Sequence, residues 1–277
     1  MVSFADTEDR DAAAPSGRTA IALDDLFGGF RRYWMWGSLA LQDMKLRYRG
    51  SIIGPFWVTI STLVMIVAMG FIYPHLFHSP PISYIPYLGL GLIVWQLISS
   101  LITEGCASFT AADSIIQQVP IPFSIHVYRV VCRNFMVFAH NLLLVPLGIV
   151  AFGITLHWNL IEALAGCAVL ALNGVAVGLL LGILSTRFRD IAPIVASFLQ
   201  VAFFVTPIFW PIEALGGYRP IGELNPLFCA IDVIRAPLLG VPITSSSWPV
   251  LLGTTAVACA FAFAMFARFR SRIAYWI

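Results

Sequence analysis

The sequence predicts an all-α membrane protein with six transmembrane helices. An N-terminal amphipathic interface helix precedes them, and short re-entrant external helices lie between spans 5 and 6. Three observations lead there. The 277 residues are 59% hydrophobic and 11% charged, with a mean hydropathy of +0.87, whereas soluble domains carry roughly 25% charged residues. Six apolar segments each approach the ~20 residues that a spanning helix needs. Arginines gather on alternate connections. The net charge of +2 is too small to suggest nucleic acid, and the basic residues are scattered over span ends.

The chain starts with an acidic, Ala-rich stretch, Met1 to Arg18, that lacks the apolar core of a signal peptide. Residues 1–22 are expected to form a disordered tail. Residues 23–54 predict an interface helix and a turn: Leu26, Phe30, Tyr33, Leu41, Met44 and Tyr48 recur at helical spacing, and Asp24, Asp25, Arg31, Arg32, Asp43, Lys45 and Arg49 fill other positions. Such a helix lies in the membrane interface, its cationic side toward the headgroups. A soluble helix would show the same pattern, but the segment that follows must be inside lipid. Gly50 and Gly54 let the chain turn, and Pro55 suits the first turn of a new helix.

Residues 55–277 form the six-span domain, with spans expected near Pro55–Phe77, Ile85–Ile102, Val130–Phe152, Leu160–Leu184, Ile191–Trp210 and Pro249–Phe266. Arg31, Arg32, Lys45, Arg47 and Arg49 precede the first span; Arg129 and Arg133, Arg187 and Arg189, and Arg268, Arg270 and Arg272 mark later connections on the same side. The connections His78–Tyr84 and Gly153–Asn159 hold no Lys or Arg. The positive-inside rule puts both termini in the cytoplasm, as an even number of spans also requires.

Two connections are too long and apolar to be simple loops. Residues 103–128, on the inner side, contain Gln117-Gln-Val-Pro-Ile-Pro122, whose prolines stop a helix at each end of a turn. Such an element could press against a partner protein. Residues 211–248, on the outer side, hold short apolar runs broken by Pro and Gly. Short helices dipping back into the outer leaflet fit them, and non-helical backbone at that depth must be buried in protein or line a water-filled cavity.

No phosphate-cradling loop is present, and Lys45, the one lysine, lies outside any such context. ATP-driven transport would therefore draw on another polypeptide. The spans carry few ionisable groups; Glu162, Arg129 and Arg133 sit near span ends, where snorkelling accounts for them. A carrier driven by protons or sodium usually keeps an acidic residue or a broken helix at the midplane. His75, His78 and His157 fall on the outer side, but no Cys or carboxylate joins them to suggest a metal. The five cysteines have no metal spacing and read as buried thiols. No catalytic constellation emerges. Gly174, Gly178 and Gly182 share one face of the fourth span and predict close packing, more simply within one subunit than between two.

Aromatic rings are the remaining signal: Trp57, Phe71, Tyr73 and Phe77 on the first span, and Phe198, Phe203, Phe204, Phe209 and Trp210 on the fifth. Lipid belts and core packing explain most such rings. A ring-lined path would also suit sugars, whose C–H faces stack on aromatics while Thr59, Ser61 and Thr62 meet their hydroxyls.

Arg47-Tyr-Arg-Gly-Ser-Ile-Ile-Gly-Pro-Phe-Trp57 resembles the start of the first span in permeases of ABC polysaccharide exporters, the group moving O-antigen, capsule and teichoic acid chains. The resemblance continues through Gln118–Arg129, Arg187-Phe-Arg-Asp-Ile191, Leu199-Gln200, Thr206-Pro-Ile-Phe-Trp210, Leu224-Asn-Pro226 and Arg235-Ala-Pro-Leu-Leu-Gly240. It covers nearly everything from Leu39 onward and is strongest toward O-antigen export permeases of Gram-negative bacteria.

The resemblance implies a channel-forming subunit in the bacterial inner membrane, with no cofactor of its own. Two copies would work with two copies of a separate ATPase that binds ATP and Mg, moving polysaccharide linked to undecaprenyl pyrophosphate. Trp57, Thr59, Phe71, Tyr73, Phe77, Phe198, Phe203, Phe204 and Trp210 would line the path. Arg47 and Arg49 would meet the pyrophosphate, and Thr110, Asp113, Gln117, Pro120 and Pro122 the ATPase. Pro211, Asn225, Pro226, Arg235 and Pro237 would form the external gate. Rivals are a drug or small-lipid permease of the same fold, and a secondary carrier acting alone.

Overall fold

In the computed structural model, which describes residues 15–54, 56–76, 80–152 and 160–277, the regular elements are helices. Pro55, Phe77, His78 and His157 lie outside the described residues. The stretch expected to be a tail is already helical from Pro15, in α1 (Pro15–Arg31). Proline suits a first helical position, and Ala22 is fully buried in an apolar cluster with Phe109, Val127 and Phe266. The backbone leaves the helical region at Arg32 (φ −86°, ψ 43°), so the expected interface helix is two, α1 and α2 (Tyr33–Arg47). Gly50 (φ 83°) and Gly54 (φ 61°) then turn the chain in the left-handed region that other residues avoid.

Among the described residues, five segments are long and apolar enough to cross a membrane: Phe56–Leu76, Pro81–Cys106, Ser124–Gly148, Leu160–Arg187 and Ser247–Trp276. They contain α3 (Phe56–Leu76), α4 (Pro81–Cys106), α6 (Ser124–Asn141) with α7 (Leu144–Phe152), α8 (Leu160–Arg187) and α12 (Ser247–Phe269). The α6–α7 break sits beside Pro146, which has no N–H to give the carbonyl one turn earlier.

The fifth expected span differs. Its helix, α9 (Ile191–Val205), has 15 residues, about 22 Å at 1.5 Å per residue, against a hydrocarbon core of ~30 Å. Pro207 explains the stop, because a residue before proline is pushed out of the helical region. Thr206 is accordingly extended (φ −85°, ψ 137°).

Beyond it, a tight turn of helix (Ile212–Tyr218), α10 (Arg219–Glu223) and α11 (Pro226–Leu239) form the expected short helices. Asn225 caps α11 by accepting from the Leu227 N–H at 2.9 Å. α11 is buried from Phe228 to Leu238 against α4, α8 and α12. On the other long connection, α5 (Asp113–Gln118) ends before Val119–Pro122, and the chain finishes in α13 (Ile273–Trp276).

α4 is the hub: 67% of its spanning window is buried, against 22% to 39% for the other four segments. It packs on α3, α6, α8, α9 and α11. The three glycines of α8 make close approaches to other helices of this same chain. A methyl group on Gly178 would stand 2.8 Å from Val127, one on Gly182 would overlap Ser108, and one on Gly174 would press on Leu101.

Candidate functional site

Gln96, Ser99, Ser100 and Thr103 put one polar group after another along α4 at one-turn spacing. They face a cavity of about 640 Å³ whose walls are α3, with Ser61 and Thr62, and α9, with Gln200, Phe203 and Phe204. Trp95 and Leu92 complete its floor, and its lining holds no ionisable group. Hydroxyls and amides there share the lining with ring faces and with the aliphatic Met65, Ala196 and Leu199. Behind it the polar groups are internally paired: Thr62 Oγ1 donates to Gln96 Oε1 at 2.9 Å, Asn141 Nδ2 to the same oxygen at 2.7 Å, and Thr59 Oγ1 to Asn141 Oδ1 at 3.0 Å.

The expected path residues divide. Phe203 and Phe204 line the cavity. Phe203 meets Trp95, Phe204 and Phe209 with ring centroids 5.3–5.7 Å apart, and Trp210 Nε1 donates to the Phe204 carbonyl at 3.1 Å. Tyr73 packs edge-on against Phe209 at 5.4 Å. Thr59 is turned into the bundle, while Trp57, Phe71 and Phe198 are exposed outside the lining. The polar stripe of α4 is the part that sequence reading missed. Its Gln-x-x-Ser-x-x-x-Thr spacing is visible in the sequence, but the spacing does not tell which helices stand opposite it.

At the end of this stripe the cavity meets charge. Glu104, next to Thr103, accepts from Arg47 Nη2, Arg133 Nη2 and Asn134 Nδ2, each at 2.8 Å. Arg133 also bonds Asp43, and Arg129 grips Asp43 with two donors, Nε at 2.7 Å and Nη2. The chain Arg129–Asp43–Arg133–Glu104–Arg47 thus ties α2 to α4 and α6. Burial opposes the ionised form of Asp43, but the bonds and charges of Arg129 and Arg133 outweigh it and hold its carboxyl below the usual range. Arg129 and Arg133, for which snorkelling was the simplest expectation, are both held by carboxylates. Arg47 is the most exposed member at 43%, and Arg49 is exposed in the turn beyond α2.

A second carboxylate holds α1 in place. Asp25 is wholly buried and accepts from the Phe123 and Ser124 N–H groups at 3.1 and 3.0 Å, at the start of α6, and from Arg270 Nε at 2.6 Å. A carboxylate at a helix N-terminus meets otherwise orphaned donors and the positive end of the dipole. Nearby, Thr110, Gln117 and Pro120 are exposed, Asp113 and Pro122 half-buried, and Gln117 Nε2 donates to Asp113 Oδ1 at 2.6 Å.

At the opposite end of α4, the non-helical backbone after α9 is buried and bonded. The Tyr84 hydroxyl donates to the Phe209 carbonyl, and that of Tyr87 to the Trp210 carbonyl at 3.2 Å. Arg235 Nη1 donates to the carbonyls of Pro207 and Ile208 at 3.3 and 3.4 Å, and Asn225 Nδ2 to Thr206 Oγ1 at 3.1 Å. Of the expected gate residues, Arg235 and Pro237 are buried, Pro211 and Asn225 half-buried and Pro226 exposed.

Comparison with known proteins gives this arrangement a family. The ABC-2 type transporter family matches residues 36–239. The chain is 27% identical over 184 residues to the O-antigen export system permease protein RfbA of Myxococcus xanthus, covering 64% of this chain and 68% of that protein. It is 24% identical over 180 residues to an O-antigen export system permease protein RfbA of Klebsiella pneumoniae, covering 63% and 68%. The matched region takes in most of α2, the polar groove and the helices up to α11. This chain therefore belongs to the ABC-2 type transporter family, as a multi-pass membrane permease related to the O-antigen export type.

Proposed function

We propose that the chain is the channel-forming subunit of an ATP-driven exporter that moves lipid-linked polysaccharide, such as O-antigen on undecaprenyl pyrophosphate, across the bacterial inner membrane. The uncharged groove between α3, α4 and α9 carries the reading. A long polymer must slide rather than bind, and many exchangeable contacts to hydroxyls, amides and ring faces permit that where a charged site would trap it. Two copies would enclose the path, since α3 and α9 bear exposed apolar side chains such as Val64, Val67, Phe71, Phe198, Val201 and Phe204 beside the groove.

Both termini lie on the cytoplasmic side in this reading, by the arginine distribution. There α1, α2 and the α5 region contact a separate ATPase, and the paired arginines anchor the interface helix to the spans it would move. Arg47 and Arg49 sit where the pyrophosphate would arrive, Arg47 already holding Glu104 as its resting partner.

Deleting the gene in its native host tests this. The expected result is loss of surface polysaccharide with lipid-linked polymer retained inside the cell. Undiminished surface polysaccharide would overturn the proposal.

A further inference from the structure

The far end of the bundle holds a second cavity, of about 690 Å³, between the first turns of α4, the turn after Trp210 and α11. Its size is ordinary for a small-molecule site. Tyr87 and Glu104 stand near opposite ends of α4, about 25 Å apart at 1.5 Å per residue, so this cavity and the arginine cluster are at different ends of the molecule.

Two of its lining residues are charged and deeply buried, Asp232 at 7% exposed and Arg235 at 3%. They lie three residues apart on α11, hence on one face. Neither forms an ion pair with the other or with any described residue. Asp232 Oδ2 accepts from the Thr244 N–H at 2.9 Å and from Ser247 Oγ at 2.7 Å, while Oδ1 takes no hydrogen bond from a described residue. Arg235 spends only Nη1 on backbone carbonyls, and its guanidinium lies 3.9 Å over the Tyr87 ring. Burying charges with part of their hydrogen-bonding capacity unused is costly. Here both stand at the wall of one cavity.

We propose that this cavity binds a neutral sugar unit, with Asp232 accepting from its hydroxyls and Arg235 donating to them. A hydroxyl both donates and accepts, so adjacent hydroxyls satisfy a carboxylate and a guanidinium together. A cation or an anion would satisfy one and repel the other. The two buried charges cancel, and at the mouth Arg219 is already paired with Glu223 at 2.7 Å, which leaves Glu213 as the one lining charge not offset; the buried part of the lining favours a neutral guest. The choice of sugar rests on the exporter reading above, in which this cavity would hold saccharide at the exit of the path.

The test uses the full chain in nanodiscs and saturation-transfer NMR with methyl α-glucopyranoside, methyl α-mannopyranoside and methyl α-glucuronide. Weak, saturable binding of at least one neutral glycoside is expected, reduced at least tenfold in Asp232→Asn. That variant keeps an acceptor for Thr244 and Ser247 but puts a donor where Oδ1 stands. Arg235→Lys should weaken binding as well, and thermal unfolding of each variant shows whether it folds. Binding unchanged in folded Asp232→Asn overturns the proposal, as does binding of the glucuronide alone, or of none of the three. Absent glycoside binding with export intact removes this site and leaves the exporter reading standing.

Discussion

Asp43 holds Arg129 and Arg133 at once, with side chains only 11% to 18% exposed. Removing one partner of such a group leaves the others desolvated, a loss that lies between exposed pairs (~0–1 kcal/mol) and fully buried ones (~3–5 kcal/mol). Asp43→Ala should therefore lower the melting temperature in detergent and loosen α2, read as faster hydrogen exchange there. The pH dependence has a definite sign. Because its native carboxyl titrates below the ordinary 3.8, the unfolded state binds the proton more readily. The stabilisation from Asp43 is complete at neutral pH and drains away as the pH falls through the native value, and Asp43→Asn should flatten that acid limb. A curve equally steep in the variant would refute this role. In the groove, Phe203 is enclosed by three rings whereas Phe198 is 65% exposed. Phe203→Ala should cut surface polysaccharide by more than it cuts membrane-inserted protein, and Phe198→Ala should leave inserted protein unchanged. Export falling only in step with protein would make Phe203 a packing residue.

Helix by helix, α8 and its neighbours are held in close contact. Gly178 faces Val127 on α6 and Gly105 on α4, whose own added methyl would stand 3.0 Å from the Gly178 Cα. Gly178→Val should overpack this crossing at a cost of about 1–3 kcal/mol, seen as a lower yield of folded protein, and Gly105→Val should do the same. Normal yields for both would show that the helices can part. The glycine spacing was legible in the sequence because three small residues on one face have few other uses. The shortness of α9 was signalled only by Pro207, against an apolar run that continues to Trp210, and the extended Thr206 shows that the proline prevails.

At the scale of the whole molecule, two anchored ends flank an uncharged middle. The arginine cluster and the Asp25–Arg270 pair gather where α1, α2, α6 and α12 meet, and Tyr84, Tyr87 and Arg235 brace the other end. The proposed exporter divides labour between chains, so the purified permease in nanodiscs should hydrolyse no ATP above background. Robust hydrolysis by the homogeneous chain would sink the two-polypeptide reading.

Hydropathy, arginine placement and proline–glycine punctuation by themselves determined an all-helical, multi-pass architecture, because burying apolar length and keeping guanidiniums out of lipid are local requirements. The same sequence carried the family resemblance in its ordered motifs. Only the tertiary structure decided which polar residues meet. Glu104 and Arg47 are 57 positions apart, and Asp25 and Arg270 are 245; no periodicity couples such distant charges. Which face of α4 lines a groove depends on where α3 and α9 dock, and the single-sequence pattern records a polar stripe without recording what stands opposite it.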